Sequence, residues 1–144
     1  LRPFGMRAMM SLRLEKSFGA WLREYKPEYT PAETGMERFI AFDKDVFIGR
    51  EAALAARDNP PPRRLATLVV DAADADVHGD EPICRFVTSG GYAHDVERSI
   101  ALGFVPDALH RDGERFEVEI LGDRRPATVS MQPLLDPEAK RMRG

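Results

Sequence analysis

Few residues in this chain have the types and spacing that chemistry needs. Its three histidines, His78, His94 and His110, stand far apart, and none is spaced with a Cys or Glu as a metal ligand pair. A zinc site needs three or four converging ligands, so the spacing argues against one. The loop Ala72–Asp80 carries three Asp and His78. Loops of that composition are more often solvated connections than ion sites. Cys84 falls on an expected strand, where a small buried residue is the ordinary reading. Thr88-Ser89-Gly90-Gly91 could bring bare backbone close to a ligand, but paired glycines more often make tight turns. Glu33 is either the partner in a helix cap or a carboxylate facing a pocket. Trp21 is either a core side chain or a ring stacked along a flat ligand. The residues alone favour the structural alternative for both.

Composition narrows the class. The 144 residues suit one domain, or one domain plus part of another. Hydrophobic residues make up 43%, enough for a core, and a net charge of -3 gives no electrostatic case for nucleic acid or an anionic membrane. One cysteine excludes an internal disulfide and fits a reducing compartment such as the cytoplasm. No apolar run approaches the roughly 18 residues of a membrane-spanning helix, and no signal peptide is evident. The chain opens at Leu1, which suggests a piece of a longer protein.

The elements that would position these residues follow from periodicity. Leu14, Phe18, Trp21, Leu22 and Tyr25 form one helical stripe, which predicts a helix over 6–25. Arg13, Glu15, Lys16, Arg23 and Glu24 fall mostly off the stripe, on the solvated side. Gly19 is a weak point within it, and Lys26-Pro27 ends it. Thr30-Pro31-Ala32-Glu33 reads as a capping box for a single turn stopped at Gly35. Met36–Phe42 is expected to be a strand, Asp43–Asp45 a turn, and Phe47–Arg57 a helix opened at Gly49. The prolines at 60–62 stop that helix. Strands are expected at Arg64–Asp71, Pro82–Phe86, Ser99–Val105, Arg115–Leu121 and Arg125–Met131. Thr88–His94 is expected to be a turn and Arg111–Glu114 a hairpin turn. Residues 133–144 read as an exposed tail. Five or six closely spaced short strands predict a mainly β fold, a small antiparallel barrel or sandwich, preceded by a helical segment.

Four blocks carry a family resemblance: Ser11–Lys16 (SLRLEK), Thr30-Pro31-x-Glu33-x-Gly35, Asp45-x-Phe47-Ile48-Gly49-Arg50-Glu51-Ala52, and Val87-Thr88-Ser89-Gly90-x-Tyr92. Together they resemble the C-terminal part of the folate-dependent aminomethyltransferases. That family includes the glycine-cleavage T-protein and the C-terminal regions of dimethylglycine and sarcosine dehydrogenases. The run Ala8-Met9-Met10-Ser11 and the position of Trp21 look most like the dimethylglycine dehydrogenase branch. The T-protein has Arg-Asp where Met9 and Met10 stand, and that Arg is associated with folate; Met9 can pack on a flat ring but cannot pair with a carboxylate. The family also often has glycine where Ser17 and Leu22 stand. It usually has a short hairpin between Arg85 and Phe86; here that hairpin is either deleted or left out of the sequence as it stands, and the second is favoured because a deletion would leave strand backbone unpaired.

The resemblance implies an antiparallel C-terminal β-barrel closing over a folate cavity. By that reading, residues 1–44 end the folate-binding domain and 45–62 are a connecting helix and proline linker. Residues 63–135 are the barrel and 136–144 a tail. The folate-pocket candidates are Met9, Trp21, Glu33, Thr88, Ser89, Gly90 and Tyr92, with no catalytic residue and no metal ligand here. Implied cofactors and partners are tetrahydrofolate and a small amine such as dimethylglycine or sarcosine, with FAD in a separate N-terminal domain. No nucleic acid or membrane partner is implied. The family's catalytic Asp lies upstream of these residues. An iminium hydrolyses in water, so such a cavity must exclude solvent.

Overall fold

The computed structural model describes residues 3–72, 74–83 and 87–143. The first helix, α1, spans Met6–Glu15 and stops ten residues short of the expected end. The stop is a backbone device. Ser17 takes a left-handed conformation (φ 55), its N–H bonds to Leu14 O at 2.9 Å, and Phe18 N–H reaches back to Arg13 O at 2.8 Å. This is a Schellman closure, whose left-handed position is normally glycine. Leu22 is left-handed too (φ 66), and the chain folds back so that Glu24 and Tyr25 N–H both bond Ala20 O. Each non-glycine residue held this way costs about 1–2 kcal/mol. The helical stripe is therefore not formed. Leu14 is buried, while Trp21 and Leu22 are 82% and 83% exposed. Gly19 has its own reason: a Cβ there would lie 2.6 Å from the Tyr25 ring.

The capping box forms as expected. Thr30 caps α2, Pro31–Thr34, by accepting from Glu33 N, and Glu33 reaches back to Thr30 N at 2.7 Å. Gly35 ends the turn in the left-handed region (φ 70). The expected strand at Met36–Phe42 is absent; a 3₁₀ turn, Met36–Phe39, follows Gly35 instead. Apolar side chains alone do not hold a strand without a neighbour to take its backbone bonds. Helix α3, Arg50–Asp58, opens at left-handed Gly49 and ends just before the prolines.

Five strands make one antiparallel sheet in the order β2-β3-β1-β5-β4. They are β1 Arg63–Val70, β2 Val87–Ala93, β3 Arg98–Pro106, β4 Arg115–Ile120 and β5 Asp123–Ser130. The mainly β class holds. The edges β2 and β4 are bridged by a loop: Val87 N–H bonds Glu81 O, and Glu119 N–H bonds Pro82 O at 2.9 Å. One core lies inside this curl, built on Ala66, Leu68, Val70, Val77, Val118, Ile120 and Val129. A second lies outside it, where Leu14 of α1 packs on Ala93, Ile100 and Leu102. Strand β3 feeds both by alternation, Ala101 and Val105 inward, Ile100 and Leu102 outward. Burying each such side chain contributes about 1.5–3 kcal/mol.

Three expectations are corrected here. Thr88–Ala93 is no turn but most of β2, and of the expected turn only His94 lies in one. Gly90 is needed because Val77 crosses it, so that a Cβ would lie 2.6 Å from Val77 Cγ1 and Val77 O. The turn Arg111–Glu114 joins β3 to β4, which are not neighbours, so it makes no hairpin. The start of the tail is docked: Leu134 packs on the outer core, Leu135 N–H bonds Glu15 O, and Lys16 Nζ pairs with Asp136 at 3.2 Å. A short helix, α4, Lys140–Arg143, follows. Of the expected strand Pro82–Phe86, Pro82 and Ile83 are not in a strand, and Cys84–Phe86 lie outside the described residues, as does the junction that would carry the missing hairpin.

Candidate functional site

The outer face where α1, the 16–25 loop and β2 meet is built on one bulge. Val87 pairs with Gly103 and Ser89 with Leu102, so β2 slips by one residue at Thr88. The slip turns Ser89 away from the inner core and onto the face covered by α1. There Ser89 Oγ donates to Glu24 Oε1 at 2.5 Å and accepts from Arg13 Nη2 at 2.7 Å. Arg13 Nη1 lies 3.3 Å from Glu24 Oε2 and donates to Phe18 O at 3.0 Å. Glu24 Oε2 also accepts from Ala20 N at 2.8 Å.

Glu24 is wholly buried. Burial of Arg13 pulls its pKa down, against the opposing pull of Glu24. This triad ties α1, the loop and β2 together at one point. Arg23 adds a bond to Thr88 O, and Ser11 Oγ one to Tyr92 O at 2.7 Å.

Arg13, Glu15 and Glu24 were expected on a solvated helix face. All three are buried: the loop returning after the helix ends at Glu15 encloses Arg13 and Glu24, and the β2–β3 turn covers the Glu15 carboxylate. Glu15 Oε1 accepts from Asp95 N at 3.0 Å. The available clue was that two carboxylates and a guanidinium flank the Ser17–Leu22 stretch, where the resembling family has glycines.

The sequence candidates separate into three groups. Met9, Trp21 and Tyr92 present side chains to solvent; Trp21 stands edge-on to Tyr25 with centroids 6.0 Å apart, and Tyr92 edge-on to His94 at 5.0 Å. Thr88 and Ser89 are buried, with Thr88 Oγ1 donating to Leu102 O and Ser89 in the triad. Gly90 lies under Val77.

Glu33 is elsewhere, buried in the α2 cap and paired with Arg63 Nε at 2.7 Å. Arg63 in turn stacks over Tyr29 and Phe104. Burial works to raise the Glu33 pKa, but the Thr30 N–H, the Arg63 guanidinium and the Thr30 hydroxyl outweigh it and hold it below its ordinary value.

Large apolar side chains are exposed on α1 and on the loop that carries Trp21. Met6, Met9 and Leu12 of α1 are exposed, as are Phe18 and Leu22 of the loop. Such a face suits a flat ring by stacking and dispersion but offers it no charge. Among the described residues no three His, Cys, Asp or Glu side chains converge as a metal site would require.

The comparisons with known proteins agree with this architecture. The pattern of the glycine cleavage T-protein C-terminal barrel domain matches residues 63–136, and that of the GCVT N-terminal domain matches residues 1–44. Mitochondrial dimethylglycine dehydrogenase of Mus musculus is 37% identical over 97% of the chain, which spans 17% of that relative. An aminomethyltransferase of Desulfitobacterium hafniense is 33% identical over 85% of the chain and 35% of its own length. A mitochondrial pyruvate dehydrogenase phosphatase regulatory subunit of Mus musculus is 31% identical over 93% of the chain and 18% of its own length. The glycine cleavage system aminomethyltransferase T of Bartonella henselae superposes with a TM-score of 0.84 at 23% identity, covering 92% of this chain and 39% of that one, and so shares the fold. The chain thus spans between about a sixth and two fifths of these proteins, and it belongs to the glycine cleavage T-protein family of aminomethyltransferases.

Proposed function

We propose that these residues form the closing wall of a tetrahydrofolate-binding, aminomethyltransferase-like module in a flavin-dependent dimethylglycine or sarcosine dehydrogenase-like protein, one that passes a one-carbon unit to folate. The observation that carries the reading is the exposure of Met9 and Leu12 on α1 and of Phe18 and Trp21 on the loop after it, with helix and loop tied to β2 by the buried Arg13–Glu24–Ser89 triad. A wall of this kind excludes water from a reactive one-carbon unit and positions a flat ring. Bound tetrahydrofolate would supply the nitrogen nucleophiles that accept that unit. Trp21 and Met9 would line its ring, and Glu33, Thr88, Ser89 and Gly90 would support the wall without touching it. FAD and the reactive carboxylate belong, on this reading, to chain outside these 144 residues. A cytoplasmic location is part of the same proposal. The similarity over 97% of the chain to dimethylglycine dehydrogenase supports the dehydrogenase branch over the T-protein.

A second reading has two observations in its favour. Met9 supplies no guanidinium for a folate carboxylate, and a regulatory subunit is among the relatives. A non-catalytic relative would keep the barrel and lose folate. Equilibrium dialysis of tetrahydrofolate against the full-length protein separates the two. Saturable binding at micromolar ligand supports the first reading, and no binding by the folded protein supports the second.

A further inference from the structure

The segment after β5 returns to the end of α1 and is held there at three successive residues. Leu134 packs on the outer core beside Leu14, Ile100 and Leu102. Leu135 N–H bonds Glu15 O at 3.1 Å. Lys16 Nζ donates to Asp136 O at 2.7 Å and to Asp136 Oδ2 at 3.2 Å. The carbonyls of a helix's last turn have no partner within the helix. Glu15 O is one of them, and the returning segment supplies its bond.

Asp136 carries most of this junction. Its backbone is left-handed (φ 48), which aspartate tolerates better than most residues. Oδ1 accepts from Lys140 N at 2.8 Å and Oδ2 from Arg141 N at 3.2 Å, so the carboxylate that meets Lys16 also starts α4. Burial works to raise the Asp136 pKa, but the Lys16 ammonium and the N–H groups of Arg141 and Lys140 outweigh it and hold it below its ordinary value. The Lys16 and Asp136 side chains are only 14% and 10% exposed, against 73% and 64% for the Arg124–Glu117 pair, so water screens the first pair far less.

The place of the junction points to its role. Lys16 immediately precedes Ser17, whose left-handed turn ends α1 and opens the loop to Tyr25. Ser17 and Leu22 both hold left-handed backbone there, and such strain persists only where the surroundings over-determine it. The buried triad fixes Phe18, Ala20 and Glu24 from inside the loop. At the root of the loop, Lys16 is fixed by Asp136.

We propose that Lys16 and Asp136 are positioning residues: they clamp the segment 134–136 onto the last turn of α1 and thereby fix the loop that presents Trp21. Their effect on a ligand rests on the folate reading, and the clamp itself does not.

Hydrogen exchange of the full-length protein, read by mass spectrometry, tests it. Lys16→Met keeps the apolar stem and removes both bonds to Asp136, and Asp136→Asn keeps the backbone and removes the charge. Each variant speeds exchange in residues 16–25 and 134–141 together, by about tenfold for Lys16→Met, while residues 99–105 of β3 exchange as in the parent. Lys16→Arg keeps a charged donor and retains the parental exchange. Tetrahydrofolate affinity, measured by dialysis on the same proteins, falls about threefold or more in Lys16→Met and recovers in Lys16→Arg. The proposal is overturned if exchange at 16–25 is unchanged in Lys16→Met, if it rises equally throughout the sheet, or if a parent that binds tetrahydrofolate keeps its affinity in that variant. A parent that binds no tetrahydrofolate refutes the folate reading alone, since the exchange comparison decides the clamp without ligand.

Discussion

Glu24 shows how much one buried side chain can organise. Its carboxylate takes a backbone N–H from Ala20, a hydroxyl from Ser89 and a charged pair from Arg13, all out of water. Removing it leaves a buried guanidinium uncompensated. Glu24→Ala should therefore cost about 3–5 kcal/mol, measured by urea denaturation, whereas Ser89→Ala should cost about 1–2 kcal/mol. Equal and small losses for both would mean that the triad is not a single unit. Leu22 offers the opposite sign. It is exposed and left-handed with no packing to lose, so Leu22→Gly should leave stability unchanged or raise it by up to about 1 kcal/mol. A fall in melting temperature would contradict the strain argument. At this scale sequence reasoning named Ser89 and Trp21 as folate-pocket candidates and put Arg13 and Glu24 on a solvated helix face; in the structure Ser89, Arg13 and Glu24 share a buried triad and Trp21 is exposed. Charged residues in a polar stretch read as solvated until the chain is seen to fold back over them.

At the scale of elements, local chemistry was legible and long-range geometry was not. The Thr30–Glu33 capping box, the Gly49 start of α3, and strands β1 and β4 are each set by neighbours in sequence, and each appears where its residues predict. The helix over 6–25 and the turn at Thr88–His94 failed for a common reason. Periodicity cannot reveal that Ser17 and Leu22 are left-handed, or that Gly90 makes room for Val77 arriving from a distant loop. Gly90→Ala should then cost about 1–3 kcal/mol, since backbone as well as side chain must move; an unchanged denaturation midpoint would refute the close approach. The α2 cap gives a pH prediction. The Glu33 pKa is depressed in the folded chain, so its contribution is present above its unfolded value and lost as pH falls through the lower folded one. Glu33→Gln should lose about 1–2 kcal/mol at pH 7. The gap from the parent should close as pH drops below 4.5, the ordinary carboxylate value. A gap independent of acid pH would show that the charge plays no part.

For the molecule as a whole, the asymmetry between its two sides is the main fact. One side is a closed core inside the curled sheet, and the other exposes a run of large apolar groups on α1 and its loop. The mainly β class was legible from strand spacing, whereas the apolar stripe that predicted the helix lies mostly beyond the end of α1. The role proposed for the helix face rests on family resemblance, because exposure is a property of the folded chain and not of the sequence pattern. Hydroxyl-radical footprinting of the full-length protein, read by mass spectrometry at Trp21 and Met9, addresses that face directly. Both residues oxidise readily when accessible. Saturating tetrahydrofolate should lower labelling at both several-fold while leaving exposed Leu121, at the distant β4–β5 turn, unaffected. Labelling at Trp21 and Met9 that does not change with ligand would contradict the account.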